Sequence, residues 1–299
     1  MCHAPLRLVA YDLDGTMLND QKQIPAENLA ALAAAREKGC ILLPATGRPL
    51  CMVRGPILQV PGVRYVLTSN GAAIWDMGPD PAAAVHSRRG EFYGTPAGRL
   101  PAGAKCLALS PLPAASAARA IAALRPFLPG VIKVFVDGRM AYEPEGFAWE
   151  NRYGTPAFRH KPGFGILVPS LDQALPAWEG KIEKICTFFG DMEKLNAARR
   201  ALNALPDIAV VQGAPNNLEV TAPGVDKGLG LQKACQALGV DIGQALALGD
   251  SENDLAMLRA AGFAGVVANG IPAAKALATR IAAADNNQCG AGELIRFYL

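Results

Sequence analysis

Histidine is nearly missing from this chain, with three in 299 residues, and none of His3, His86 and His160 stands near another ligand-type residue at helical or hairpin spacing. A zinc site and a histidine-based nucleophilic triad are therefore disfavoured. Paired cysteines are lacking too. The seven, Cys2, Cys40, Cys51, Cys106, Cys186, Cys235 and Cys289, are odd in number, contain no C-x-x-C, and mostly sit in apolar runs. They read as reduced core residues of a cytoplasmic protein, not as a disulfide framework. No long hydrophobic run is present. The stretch Met1 to Leu8 holds no apolar region of signal-peptide length before Asp12 interrupts it, and Ala260 to Ala274 is broken by glycines and Pro272 and is too short to span a bilayer. Dense basic runs are absent as well, because the 29 basic and 26 acidic residues behind a net charge of +3 lie scattered. Nothing asks for a nucleic-acid partner or an anionic membrane, and oligomeric state leaves no mark.

What is present is apolar content of 51%, ample for sizeable cores, in a chain long enough that two domains are expected. The most informative run is Leu8-Val9-Ala10-Tyr11-Asp12-Leu13-Asp14-Gly15-Thr16. Its apolar half reads as a buried strand, and Gly15 lets the chain turn sharply away. Asp12 and Asp14 then leave the sheet at its carboxyl edge, where open α/β sheets keep their ligand crevice. A strand ending in an ordinary Asp-rich turn is the competing reading.

Further along, Pro25 to Gly39 carries proline at a helix start, acid early, base late and glycine just past the end. That helix delivers the run Cys40 to Arg48, an apolar strand ending in a polar turn, and then the run Tyr65 to Gly71. Strand, helix, strand and strand at this spacing imply a parallel sheet. The pattern returns near the C-terminus, with a helix over Lys227 to Leu238, the strand Ala245 to Gly249 ending at Asp250, Ser251 capping the next helix with Asp254 reaching back, and the strand Ala264 to Ala268. Between about residues 84 and 222 the texture changes. Strands over Val131–Asp137, Met140–Glu143, Ile182–Phe189, Ile208–Val211 and Leu218–Thr221 alternate, as suits a sheet with one exposed face, and helices over Ala114–Phe127 and Met192–Leu205 lie among them. The fold expected is α/β: a Rossmann-like parallel-sheet core domain from residues 1–83 and 223–299, with an inserted α+β cap domain over 84–222.

In order along the chain stand Asp12-Leu13-Asp14-Gly15-Thr16, Ala45-Thr46-Gly47-Arg48-Pro49, Gly224-Val225-Asp226-Lys227-Gly228 and Gly249-Asp250-Ser251-Glu252-Asn253-Asp254, with Ser69-Asn70-Gly71-Ala72 and Asn269-Gly270 besides. Together they resemble the haloacid dehalogenase superfamily of aspartate-nucleophile phosphatases, in its Cof-type branch with a large type IIB α/β cap between the second and third motifs. The resemblance implies that Asp12 is the nucleophile, forming an aspartyl-phosphate, and that Asp14 is the general acid and base. It implies Mg²⁺ held by Asp12, the Asp14 backbone carbonyl and Asp250, since two anions must meet around a hard cation. Lys227 would serve phosphate and nucleophile alike, with Thr46, Gly47 and Asn253 binding the phosphate. Asp254 would orient Lys227 or a metal-bound water, its helix-capping role being the alternative. Arg48 and Asn70 read as loop-shaping residues, and Arg48 is left out of the site. Gly228-Leu229-Gly230 hints at a dinucleotide turn but has no third glycine and no βαβ context.

The function expected is hydrolysis of small phosphorylated metabolites, foremost sugar phosphates. A phosphomutase is the second enzyme reading, because phosphomannomutases share this core and cap type. A noncatalytic phosphometabolite-binding module is the third, and the presence of Asp14 argues against it. Two segments depart from the family pattern: Arg88 to Ala104, and the loop Asp285-Asn286-Asn287-Gln288-Cys289-Gly290.

Overall fold

The computed structural model describes residues 5–53, 55–58, 60–79, 100, 103–128, 130–153 and 165–299. The divergent stretch 88–104 therefore lies outside the described residues except for Leu100, Gly103 and Ala104. Strand β1 (Leu8–Tyr11) is buried along its whole length. Helix α1 (Ala26–Glu37), entered through Pro25 and carrying Glu27 in its first turn and Arg36 in its last, leads to β2 (Ile41–Pro44), which pairs parallel with β1. After the short α2 (Gly55–Leu58) comes β3 (Tyr65–Thr68), which touches the β2 edge through single parallel bridges, Leu42 to Val63 and Ala45 to Leu67. Its full pairing is antiparallel, with β4 (Ala73–Asp76), which pairs in turn with β5 (Lys105–Leu109). The parallel arrangement expected of this strand is thus only partly realised. Ser69, Asn70 and Gly71 all take positive φ, of 53°, 56° and 93°, and so reverse the chain into a hairpin.

The next segment builds a second sheet. It comprises α3 (Ala114–Leu124), β6 (Gly130–Val136), β7 (Arg139–Tyr142), α4 (Pro144–Tyr153), β8 (Ile166–Leu167), α5 (Leu171–Ala174), β9 (Ile182–Phe189), α6 (Met192–Asn203), β10 (Ala209–Val211) and β11 (Asn217–Thr221), with strand order β10-β11-β9-β6-β7-β8. One face, with Ile132, Val134, Ile185, Leu218 and Val220, packs against α3 and α6. The opposite face was expected to meet solvent, and it does not: β6, β11 and nearly all of β9 are buried throughout. Phe135, Met140, Tyr142 and Cys186 on that face pack with Cys51 and Met52 of the parallel-sheet part. The alternation is real, but its polar phase looks into the crevice instead of into water.

The chain then re-enters the first layer through α7 (Lys227–Leu238), β12 (Ala245–Gly249), α8 (Leu255–Ala260), β13 (Phe263–Val266), α9 (Pro272–Lys275), β14 (Arg280–Ile281) and α10 (Gly290–Tyr298). The parallel sheet has the order β14-β13-β12-β1-β2. Val9, Tyr11, Leu246 and Leu248 pack towards α1 and α10, while Leu8, Ala10, Ala245 and Ala247 pack towards α7 and α8. Burial on both faces explains why these strands read as continuous apolar runs.

Candidate active site

Strands β1 and β12 are adjacent and in register, Tyr11 opposite Leu248, and their connections leave in opposite directions along the sheet. Such a switch point opens a crevice at the carboxyl ends. Asp12 continues the ladder by donating its amide to Leu248 O at 2.9 Å, and Asp250 follows β12 directly. Between them runs the turn at Gly15, whose φ is +88°; a Cβ there would lie 2.6 Å from Asp250 Oδ2. Only glycine lets the two acids approach this closely. Thr16 Oγ1 donates to Asp250 Oδ1 at 2.7 Å.

Lys227 opens α7 behind Asp226, whose side chain caps the helix by accepting from Leu229 N at 2.8 Å. Its side chain is 0% exposed, and its ammonium bridges Asp12 Oδ1 and Asp254 Oδ1, the latter at 2.7 Å. Although burial alone would lower the pKa of Lys227, the two carboxylates outweigh it and hold the ammonium protonated. Asp254 uses its other oxygen, Oδ2, to accept from Asp250 N and Ser251 N, both at 3.0 Å, and from Ser251 Oγ at 3.3 Å. The two readings of Asp254 are therefore served by two different atoms, Oδ2 capping the helix and Oδ1 holding Lys227.

Asp12, Asp250 and Asp254 each offer an oxygen within 4.8 Å of the others, an all-oxygen set of the kind a hard divalent cation takes. Both oxygens of Asp254 are already engaged, which leaves Asp12 and Asp250 as the side-chain ligands the cluster can supply. Three carboxylates face one ammonium, so the cluster is short of positive charge. Burial, aided by the neighbouring Asp254, pushes the Asp250 carboxyl up to about 6. A cation here would reverse that shift.

Asp14 stands apart at the mouth, 41% exposed, in a salt bridge with Lys22 at 2.8 Å and bonded to Arg48 through Nε at 3.1 Å and Nη2 at 2.6 Å. Burial works to raise its pKa, but Arg48 and Lys22 together hold it below the usual carboxylate range. Arg48, set aside as loop-shaping, thus grips the carboxylate expected to move the proton. Thr46 Oγ1 accepts from Arg48 N at 3.2 Å, leaving its own proton to donate. Asn253 donates to Asn70 Oδ1 at 3.3 Å and accepts from Ser251 Oγ at 2.7 Å.

Asp12, Asp14, Thr46, Gly47, Arg48 and Asn253 line a cavity of about 140 Å³ roofed by Lys133, Phe135, Cys186, Phe188 and Glu219. Lys227 and Asp254 do not line it; they lie buried behind Asp12, which does. A larger cavity of about 920 Å³ sits at the opposite ends of the strands, lined by Leu6, Cys40, Phe263 and Tyr298 among others. No acidic side chain lines it, so its size does not make it a catalytic centre. The roof residues Lys133 and Glu219, with Lys184 and Glu183 beside them, were not anticipated; the alternation of their strands was visible, but not what faced it. The divergent loop at 285–290 supports the site from outside: Asn286 donates through its side chain to Leu18 O at 3.0 Å and to Asp20 Oδ1 at 3.3 Å, and through its backbone amide to Asn269 Oδ1 at 3.0 Å, while Asn269 Nδ2 donates to Gly15 O at 2.8 Å. Gly228 and Gly230 are packing glycines, lying against Ala256 and Gly71.

The parallel sheet thus carries two carboxylates after its first strand, a buried lysine opening a later helix and further acids after the following strand, the layout of an open α/β enzyme with its crevice at the carboxyl edge. The family of haloacid dehalogenase-like hydrolases matches residues 9–82 and 135–295, and the chain belongs to it, as a phosphomonoester hydrolase of the Cof type. It is 28% identical over 284 residues to an HMP-PP phosphatase of Citrobacter koseri, covering 89% of this chain and 85% of the relative. It is 22% identical over 274 residues to the 5-amino-6-(5-phospho-D-ribitylamino)uracil phosphatase YcsE of Bacillus subtilis, covering 88% and 84%. In fold it is similar to a haloacid dehalogenase-like hydrolase from B. subtilis, with a TM-score of 0.76 at 24% identity over 98% of this chain and 100% of that one. A HAD subclass IIB sugar phosphatase superposes with a TM-score of 0.75 at 20% identity, covering 98% of both chains. Among the described residues no helix is long and apolar enough to cross a membrane.

Proposed function

We propose that this chain is a cytoplasmic, Mg²⁺-dependent phosphatase of small phosphorylated metabolites, sugar phosphates in particular, working through an aspartyl-phosphate on Asp12, with the insertion over residues 84–222 as its cap. The observation that carries the reading is Lys227, wholly buried and shared between Asp12 and Asp254. Taking a lysine and two carboxylates out of water is costly even when they pair closely, so stability alone gives little reason to keep such a cluster at a strand end. The HMP-PP phosphatase and YcsE are named for small phosphate esters, which suits a cavity of this size.

Asp12, Asp250 and the Asp14 carbonyl would hold Mg²⁺, which supplies charge neutralisation between carboxylate and phosphate. Asp12 attacks phosphorus as the ester P–O bond breaks. Thr46, the Gly47 amide, Asn253 and Lys227 donate to the phosphoryl oxygens, where negative charge must be held. Asp14 gives its proton to the departing alkoxide and takes one from the water that hydrolyses the acyl phosphate. It has to gain that proton despite Arg48 and Lys22, and an arriving phosphate dianion shifts it in the right direction, since a like charge favours the protonated carboxyl.

Mass spectrometry after trapping with a turnover substrate should find a phosphoryl adduct on Asp12, and Asp12→Ala should abolish phosphate release while leaving the fold intact. An adduct on another residue, or substantial Mg²⁺-dependent turnover in Asp12→Ala, overturns the reading.

A further inference from the structure

The turn after β3 is the most strained place near the cavity. Ser69 and Asn70, consecutive non-glycine residues, both sit in the left-handed region, with φ of 53° and 56°. Asparagine tolerates that region and serine does so poorly, so the pair persists only where its surroundings hold it. What holds it comes from the second sheet: Ser69 Oγ donates to Glu183 Oε2, and Asn70 Nδ2 donates to Glu219 Oε2. Glu183 reaches this position from a register shift of β9 against β6, between Phe135 and Val136. Glu219 is itself fixed by Lys184 Nζ at 2.8 Å and Asn217 Nδ2 at 3.3 Å. On its other side Asn70 uses Oδ1 to accept from Asn253 Nδ2 at 3.3 Å, and Asn253 lines the cavity floor. All of this closes around Gly47, where a Cβ would lie 2.9 Å from Asn70 Oδ1, 3.4 Å from Lys184 Nζ and 3.5 Å from Glu219 Oε2.

One amide therefore has one end on the roof and the other on the floor. We propose that Asn70 is a positioning residue that ties the roof to the phosphate pocket, transmitting the placement of Glu219 to the Asn253 amide. The phosphate side of the cavity is complete only when the upper sheet is seated. The inference rests on reading this cavity as the phosphate site. Its chemistry is simple: when Glu219 withdraws, Asn70 Nδ2 loses a charge-assisted partner, the left-handed turn loses a restraint, and Asn253 loses the acceptor that aims it. Glu219 and Asn253 bond to the same residue and not to each other, so Asn70 is the hydrogen-bonded route between them, and its removal separates coupling along that route from coupling through the bound anion.

A double-mutant cycle reads that coupling directly. The affinity of the Mg²⁺-loaded protein for inorganic phosphate is measured by calorimetry for Glu219→Gln, Asn253→Ala and the pair, in the parent and again in the Asn70→Gly background. Glycine accepts the left-handed conformation freely, so that background should fold. In the parent the two substitutions should be non-additive by roughly three- to tenfold in dissociation constant, and in the Asn70→Gly background additive to within about twofold. Additivity in the parent, or unchanged coupling without Asn70, overturns the proposal. A role confined to holding the turn together would lower stability without moving the coupling, and that too counts against it. Turnover is scored separately over a panel of sugar phosphates and other small phosphate esters: if the parent protein binds phosphate but releases none from any of them, the phosphatase reading fails while the coupling can still be measured.

Discussion

Asp254 offers the sharpest separation of structural from chemical roles, because its two oxygens do different work. Oδ2 accepts from two backbone amides, at Asp250 and Ser251, while Oδ1 holds the buried Lys227 ammonium. Replacing it with asparagine keeps one carbonyl oxygen for the amides and turns an NH₂ towards a donor. Lys227 retains Asp12, so no lone charge is left behind, and the loss is that of one charge-assisted hydrogen bond, about 1.5–3 kcal/mol. Alanine removes that bond and also strands two amides and breaks the capping box seen at Ser251. At about 1 kcal/mol or more for each unmet amide, Asp254→Ala should cost about 2 kcal/mol beyond Asp254→Asn. Since 1 kcal/mol moves the midpoint of a domain of 150–250 residues by about 2–4 °C, thermal unfolding followed by circular dichroism should place the alanine variant about 4–8 °C below the asparagine variant. Phosphate release, in contrast, should fall by a similar large factor in both, because both lose the carboxylate that holds Lys227 in place. Equal melting of the two variants would refute the assignment of Oδ2 as the cap. Full activity in Asp254→Asn would refute the role given to Oδ1.

Glu183 supplies a pH signature. Burial pushes its carboxyl up to about 7, against a usual value of 4.5, despite the bonds from Ser69 and Gly138. The folded state then binds more protons than the unfolded one between these two values, so stability falls as pH rises from about 4.5 to about 7, by up to roughly 3 kcal/mol. Glu183→Gln should remove that slope, so urea unfolding should show the variant gaining on the parent at pH 8 relative to pH 5; the same difference at both pH values would contradict the burial of an ionisable group there. Gly47→Ala forces a methyl group against the Asn70 amide, 2.9 Å away, and should cost about 1–3 kcal/mol and raise KM in a phosphate-release assay; an unchanged KM would show that the seam is slack. Mg²⁺ at a hundredfold excess over its Kd should stabilise the parent by about 2.7 kcal/mol, reversibly on chelation, and should do little for Asp250→Asn; equal stabilisation of both would remove Asp250 from the ligand set.

Most of the floor was legible before any coordinates because the physics of parallel sheets is restrictive. Right-handed crossovers send every strand-to-helix turn to one edge, so Asp12, Asp14, Thr46 and Asp250, each just past an apolar run, share that edge, while Lys227, at the opening of the helix before the strand that ends at Asp250, was picked out by the family resemblance. The grip of Arg48 on Asp14 was not legible, since nothing in a turn sequence says which way a long side chain folds back. Asn70 stands in the run Ser69 to Ala72 that matches the family, but its use of both amide ends depends on a left-handed backbone that a serine before it gives no reason to expect.

The roof was misread for a different reason. Lys133, Lys184, Asn217, Glu219 and Thr221 alternate with Ile132, Val134, Ile185, Leu218 and Val220, and a sheet facing water produces the same two-residue period as a sheet facing a polar crevice. Periodicity cannot separate these cases, but composition can. The polar phase of this sheet also carries Phe135, Cys186 and Phe188, and the three are buried or nearly so beside Lys133 and Lys184. A face meant for water has no use for two aromatics and a thiol among its charges, whereas a face that closes over a small ester needs apolar walls with a few convergent polar groups. The charge pattern points the same way. Lys184 pairs with Glu219 and Glu183 takes donors from Ser69 and Gly138, so these buried polar groups find partners within the seam, as surface groups have no need to.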